Sequence, residues 1–499
     1  MPRIPRARRR DSGAGHGLRG DGRSLIRILI EPMATVQIHN TLTKELEPIE
    51  PKHGEGKTLS LYTCGPTVYA HAHIGNFRAY VFEDLLQRHL QERGFMVRRV
   101  MNLTDVDDKT IRGAHAAGIA LAEFTRPFKE AFFEDAKTLR LLPAEAYPEA
   151  TDPKQITRMI AMIGTLMEKG HAYQAEDGSV YFRIASFRGY GKLARVDLEN
   201  QRSGQRVASD EYDKEAVADF ALWKAWVPED GAVGWESPWG RGRPGWHIEC
   251  SAMATGLLGE TIDIHCGGVD NIFPHHEAEI AQCECVGAKP FVRYWMHCAH
   301  LMVEGSKMAK SAGNFFTLRD LLTQGWTGRE VRYALISVHY RGALNFTLDG
   351  LAAARTALGR LDAWRERLVE TAGSETTSET PAPATEGFFA ALDDDLNISS
   401  ALAVLFETLR ETNRRMDEGA WTPAHARGML NWLVRVDGVL ALEPDAITTI
   451  PYEVEELVTA RAAARTAKEW KKSDEIRDQI EALGWLVKDT KDGQKITKG

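Results

Sequence analysis

The sequence predicts an α/β fold: a parallel sheet interrupted by an insertion, then a helical domain and a small C-terminal domain. Three observations predict it. An alternating stretch, a helical stretch and a second strand-like stretch follow one another over 57–102, the order of a parallel βαβ unit. The same rhythm returns after residue 245, beyond a long middle region that breaks it. Past residue 386 the apolar pattern is helical to about Leu442, and a short charged tail closes the chain.

Taken in order, "KTLSLYT" (Lys57–Thr63) alternates as a strand does. From Phe77 to Arg93 a helix is expected: Phe77, Tyr80, Val81 and Leu85 recur at helical spacing, Phe82, Leu86 and Leu90 form an adjacent row, and Gly94 ends it. "FMVRRVMN" (Phe95–Asn102) reads as the second strand. Between about Asp152 and Gly245 one long helical pattern, a hairpin turn in "AEDGSV" (Ala175–Val180) and a polar stretch read as an insertion between sheet halves. The sheet rhythm resumes with "GWHIECSAM" (Gly245–Met253), which puts Cys250 on a helix, and the strand "TIDIH" (Thr261–His265). "FPHHEAEIAQCECVG" (Phe273–Gly287) follows as a helix opened by Pro274. "ETAGSETTSETPAPATE" (Glu370–Glu386) reads as a low-complexity linker that cannot pack and so tethers an independent module. "ARAAARTAKEWKKSDEIRDQI" (Ala460–Ile480) is expected as one basic helix carrying Trp470. The resulting domains are a disordered extension 1–33, sheet halves 34–151 and 246–318 around the insertion 152–245, a helical region 319–369, the linker 370–386, a helical domain 387–445 and a tail domain 446–499.

Length and composition bound the function. At 499 residues, with 43% hydrophobic and 26% charged content, the chain suits several soluble globular domains rather than one core. No apolar run approaches the roughly 18 residues that span a membrane. A net charge of −8 excludes a general polyanion binder, so contact with nucleic acid must be local. The first 32 residues differ, with eight arginines against three acids and little periodicity, as in an extension upstream of "MATVQIHN". Six cysteines are no disulfide framework; a reducing, cytoplasmic setting is expected, with thiols available to a metal.

Two loops carry phosphate chemistry. In "HIGN" (His73–Asn76), Gly75 permits close backbone approach, and a helix beginning near Asn76 offers free N–H groups to a polyphosphate. In "KMAKSAGN" (Lys307–Asn314), two lysines three apart in a glycine-flanked loop form a mobile cationic clamp. Metal chemistry is the third signal. His275 and Glu279 stand at i, i+4 on one helix face, and Cys64 and Cys250 complete a tetrahedral zinc set, for which His276 and Cys283 compete. Spacing alone leaves that choice open.

Together "YTCGPTVY", "HIGN", "MNLTDVDDKTI", "RPGWHIECSAM", "FPHHEAEIAQ", "KMAKS", "HYRGALNFT" and "LDDDLN" give the chain, from Val36 to its end, a resemblance to the cysteinyl-tRNA synthetases, a class I aminoacyl-tRNA synthetase family. The resemblance implies a Rossmann-like catalytic domain, a stem-contact region and an α-helical anticodon-binding domain. It implies one Zn²⁺ per chain on Cys64, Cys250, His275 and Glu279, against His276 and Cys283. It implies His73, Asn76, Lys307 and Lys310 as catalytic, with ATP held by His73, Gly75, Asn76 and Lys310. Gly65, Thr67, Trp246, His265 and Asp270 are implied in the substrate pocket. The expected partners are ATP with Mg²⁺, L-cysteine and tRNA(Cys), with no membrane and a monomeric chain. Two departures stand out: Asn76 replaces the commoner histidine, and Ala309 the usual serine of the second signature.

The implied chemistry accounts for the lone thiol beside the phosphate turn. Zinc binds a thiolate far better than a hydroxyl and lowers the thiol pKa, so the ion itself distinguishes cysteine from serine. A hydrophobic pocket separates isosteres by only about 10²-fold. No segment has the size of an editing domain. The alternatives are a mycothiol-pathway cysteine ligase, which lacks the C-terminal module found here from Gly387, and a catalytically dead RNA-binding homologue, which would lack the lysines or metal ligands.

Overall fold

The structure, a computed structural model, describes residues 35–51, 56–196, 205–207, 218–287, 289–308, 314–378, 384–444, 452–490 and 493–498. The extension expected over 1–33 and the lysine Lys310 lie outside them.

Four parallel strands form the central sheet in the order Val292–Cys298, Ile262–Gly268, Thr58–Thr63, Met96–Met101. The expected βαβ unit is its right half: Tyr62 pairs with Val100, while on the other side it pairs with His265. Because all four run the same way, Cys64, Asn102 and Val269 leave the sheet at one carboxyl edge, where ligands of such sheets bind.

The connecting helix spans Ile74–Glu92, so it starts at Ile74 rather than near Asn76. His73 is its N-cap: its Nδ1 accepts the Asn76 N–H at 3.1 Å, and Asn76 Oδ1 accepts the His73 N–H at 3.1 Å. The helix is buried on most of its circumference, polar residues included. Asp84 accepts from Arg332 at 2.5 Å and from Arg88 at 2.8 Å, which balances its burial. Glu83 has no such balance. Burial pushes its carboxyl up to about 8, against the opposing Arg99 charge and the Thr63 hydroxyl. Unfolded, it ionises near 4.5. The folded chain thus holds an extra proton between these values, and stability falls as pH rises through them. Glu83→Gln should remove that slope. Its stability advantage over the native chain, read from urea unfolding, should grow between about pH 4 and pH 8.

The insertion forms a mixed sheet around Ala218–Ala225, including the expected hairpin of Ala172–Gln174 with Val180–Phe182. Its core is shared with helices Pro153–Glu168 and Trp246–Leu258.

Three expectations change. Phe273 is extended (φ −136°, ψ 134°), so "FPHH" forms a wide turn and the regular helix runs Glu277–Val286, not from Phe273. Helix Leu348–Ala372 enters the supposed linker, and the next helix, Ala384–Asp393, begins before its end. The basic helix is two, Tyr452–Thr466 and Trp470–Ala482, broken where Lys468 turns left-handed at φ +61°.

The helices after residue 384 are also no separate body. Phe388, Phe389, Leu392, Trp432 and Val436 belong to one core with Ile74, Phe77, Tyr80 and Val81 of the first sheet helix. Asp393 ties to His89 at 2.9 Å and Arg93 at 2.5 Å, while Asp395 accepts from Tyr340 at 2.6 Å and Arg341 at 2.7 Å. Only beyond residue 451 does a small core of its own appear, built on Val454, Ala464, Ile476, Ile480, Trp485 and Val487.

Candidate active site

Four elements bring the metal candidates together. Cys64 directly follows strand Thr58–Thr63. Cys250 lies in the second turn of helix Trp246–Leu258, whose cap Gly245 crosses the insertion so closely that a Cβ would sit 2.0 Å from Ala221 O. His275 comes from the wide turn and Glu279 from the helix after it. Their four ligand atoms lie within 4.8 Å of one another. Within the same limit stands a second set, Cys64, His265, His276 and Glu279, so two sets share one thiol and one carboxylate. Cys283, the other competitor, is in neither set and aims its thiol at Ser251 O, 4.0 Å away.

The two histidines have parallel surroundings, each with Nδ1 on another histidine and Nε2 toward the cluster. His275 Nδ1 pairs with His247 Nδ1 at 2.9 Å, which leaves Nε2 facing Glu279 Oε1 at 3.1 Å. His276 Nδ1 pairs with His297 Nε2 at 2.8 Å, and its Nε2 lies 3.2 Å from Cys64 Sγ. Glu279 Oε2 lies 3.0 Å from His265 Nε2, whereas the buried Oε1 has the 3.1 Å approach of His275 Nε2 but no contact of hydrogen-bond geometry. A buried carboxylate oxygen without a well-formed hydrogen bond, set among thiol and imidazole donors, is what an ion would satisfy.

Electrostatics agree. Burial drives His247 and His275 down to about 3 and His276 and His297 well below their usual range, so these imidazoles are neutral, the ligand form. The Cys64 thiol is pushed well up by its hydrogen bond to Cys250 and by burial. That same bond holds Cys250 down, but burial and the Glu279 charge outweigh it, and the thiol ends raised. A divalent cation reverses this, because a coordinating thiol loses its proton. The donor set of Cys64, Cys250, His275 and Glu279 therefore fits zinc.

Of the pocket positions, Trp246 is half-buried and stacks on His275 with ring centroids 4.3 Å apart. Asp270 is exposed, in the turn after strand Ile262–Gly268. His265 is fully buried behind Glu279 and against Trp295, so it orients the carboxylate instead of facing a pocket. Gly65 has a packing reason: a Cβ there would sit 1.7 Å from Asn102 O. Thr67 bridges to Thr104. Sequence reading passed over His247 and His297, the partners of the two histidines. Their only local signal is a histidine three residues before Cys250 in "WHIEC" and one next to Cys298 in "MHC".

The side of the site expected to meet phosphate is assembled by backbone pairing. Ile74 N–H donates to Phe316 O at 3.0 Å, His73 bridges to Thr317, and the His73 ring meets Phe315 edge-on at 5.3 Å. A Cβ on Gly75 would lie 3.2 Å from Met308 Cε. The residues on both sides of the lysine loop thus lie against the capped helix. Lys307 ends strand Ser306–Lys307, paired with Leu301–Val303. Since His73 Nδ1 accepts the Asn76 N–H, a neutral ring carries its proton on Nε2. The cap uses Asn76 Oδ1, the acceptor half of the amide.

Comparison with known proteins agrees with this architecture. Residues 50–356 match the family described as tRNA synthetases class I (C) catalytic domain, 387–442 the DALR domain, and 448–496 the cysteinyl-tRNA ligase anticodon binding domain. The chain is 50% identical over 470 residues to the cysteine–tRNA ligase of Chlamydia pneumoniae, covering 92% of this chain and 97% of that one. It is 49% identical over 472 residues to that of Protochlamydia amoebophila, covering 93% and 98%. In fold it resembles Mycobacterium tuberculosis methionyl-tRNA synthetase in complex with methionyl-adenylate (TM-score 0.58, 14% identity, 77% of this chain and 92% of that one). It also resembles the LeuRS–tRNA–LeuAMS ternary complex of Agrobacterium radiobacter K84 (TM-score 0.59, 12% identity, 79% and 85%). With half its residues identical over nearly the full length of these relatives, and with a class I catalytic domain followed by both C-terminal domains, the chain belongs to the cysteinyl-tRNA synthetase family.

Proposed function

We propose that the protein activates L-cysteine with ATP to cysteinyl-adenylate and transfers it to the 3′-terminal adenosine of tRNA(Cys). The observation that carries this is a largely buried two-thiol, imidazole and carboxylate set at the carboxyl edge of the sheet, whose Cys64 lies in the loop that leads into the capped helix. In the reading, Cys64, Cys250, His275 and Glu279 hold one zinc ion. When bound, zinc supplies a soft Lewis acid for the substrate thiolate. Trp246 walls that site, and His247 and His265 keep His275 and Glu279 oriented.

The carboxylate of cysteine then attacks the α-phosphorus, and pyrophosphate leaves. Positioning and charge neutralisation supply most of the rate, since this step asks little covalent help of the protein. His73 Nε2–H, the Gly75 backbone and the Asn76 amide meet the phosphates from the helix side, and Lys307 and Lys310 close from the other. ATP enters with Mg²⁺, to which no residue of the chain is assigned. Trp470, 57% exposed with Arg465 5.7 Å over its ring, supports an RNA-facing tail domain. Among the described residues no helix is long and apolar enough to cross a membrane; a monomeric, cytoplasmic enzyme is part of the same proposal.

The test is ATP–pyrophosphate exchange dependent on cysteine, followed by charging of a tRNA(Cys) transcript. Exchange without charging would turn the reading toward a cysteine ligase with another acceptor; neither activity would end it. Lys310→Ala should slow adenylate formation by about 10²–10³ in single turnover while cysteine binding stays, since its charge matters most on departing pyrophosphate. An unchanged rate would remove Lys310 from the mechanism.

A further inference from the structure

Beside the capped helix, one stretch of surface is used by nothing described so far. The loop from Val68 to Ala72 leaves the central strand, and Val68 N–H donates to Thr104 O at 3.0 Å in the loop that leaves the neighbouring strand. Both loops lie at the carboxyl edge. From the second rises helix Asp108–Ala117, followed by helix Leu121–Thr138 packed against it. The 68–72 loop lies across both helices. Lys109 Nζ stands 5.4 Å over the Tyr69 ring, and His71 meets Phe128 edge-on at 5.4 Å. Phe124 supports Phe128 at 5.4 Å and packs so tightly on the first helix that a Cβ at Gly113 would sit 2.2 Å from its ring.

This support does not bury the rings nearest the site. Tyr69 is 41% exposed, and His71 and Arg112 are exposed. A tyrosine left open on a braced loop has an apolar face and a polar tip, and the adjoining cations favour an anionic partner. Rings for base faces and cations for phosphates are the combination that holds a single-stranded nucleic acid. Its place decides which strand. His71 is two residues from the phosphate-facing His73, so the surface borders the site where the acyl group is formed.

We infer that Tyr69 and His71, with Lys109 and Arg112, form a platform on which an unpaired nucleotide of the RNA acceptor's 3′ end stacks on its way to the active site. The inference rests on the tRNA-charging reading. Among the described residues Tyr69 has no hydrogen bond or ring contact to a group assigned to ATP or cysteine, so its effect is expected on the second step.

The experiment uses the full chain. Cysteine-dependent exchange and charging by the native protein come first; their failure counts against the enzyme reading and not against the platform. Tyr69→Ala should lower kcat/KM for a tRNA(Cys) transcript by about 10-fold, the size expected of one stacked base, while exchange is unchanged. Tyr69→Phe, which keeps the ring, should restore charging. For binding, the probe is the same transcript lacking its single-stranded 3′ nucleotides. Native and Tyr69→Ala proteins should bind it equally, though they differ on the intact transcript. Equal loss of exchange and charging would overturn the platform and give the surface to ATP or to folding. Unaltered charging, or a Tyr69→Ala defect that persists on the truncated transcript, would overturn it as well.

Discussion

Deleting residues 387–499 is expected to abolish exchange activity, whereas deleting only 445–499 should spare it. If residues 370–386 were a free tether, the longer deletion would leave the catalytic part whole. Instead it strips Phe388, Phe389, Leu392, Trp432 and Val436 from a core shared with the helix that His73 caps. Each such side chain is worth roughly 1.5–3 kcal/mol when buried, so their joint loss is comparable with the whole net stability of a domain, about 5–15 kcal/mol. His89 and Arg93 would also lose Asp393, and Tyr340 and Arg341 would lose Asp395. The shorter deletion removes residues with their own core and keeps Leu440 and Leu442, whose carbonyls accept from Arg332 and Arg329. It should raise the KM for tRNA and flatten the fall of tRNA affinity with salt. Circular dichroism melting, exchange and charging at two salt concentrations separate these outcomes. A 387–499 deletion that melts cooperatively and retains exchange would show that the shared core is dispensable.

What the sequence made legible follows from how local each signal is. Strands Thr58–Thr63 and Met96–Met101 and their helix were readable because alternation and 3.6-residue spacing are short-range patterns. The helix start was misplaced because a histidine cap is not among the usual signals. The break at Lys468 was invisible because "TAKEW" contains neither glycine nor proline. The linker was read from composition, yet Glu370 to Ala372 stay helical as the end of a long amphipathic helix. At the site, the His275–Glu279 pair is a local spacing and could be read directly. That Cys64 and Cys250 join it is a property of the fold, supplied in advance only by resemblance. The imidazoles of His247, His265, His276 and His297 come from several elements distant in sequence, and no periodicity links them.

The two overlapping donor sets make metal content the sharpest remaining test. Purified protein should hold about one zinc, and Cys64→Ser should lose it under either set, since both include Cys64. Cys250→Ala and His276→Ala divide the cases. With ligands Cys64, Cys250, His275 and Glu279, Cys250→Ala should cost more than the roughly 10–100-fold in metal affinity typical of changes just outside the ligands. His276→Ala, which removes a neighbour of Cys64 Sγ, should stay within that range. Proton release gives a second readout. Both thiols are raised in the metal-free site and must ionise to bind, so zinc uptake near neutral pH should release about two protons for the two-thiol set and about one for the set with Cys64 alone. Calorimetry in two buffers of different ionisation enthalpy counts them. Cysteine-dependent exchange should fall with the metal in the Cys250→Ala protein. One proton released, with zinc retained by Cys250→Ala and lost by His276→Ala, would move the ion to His265 and His276.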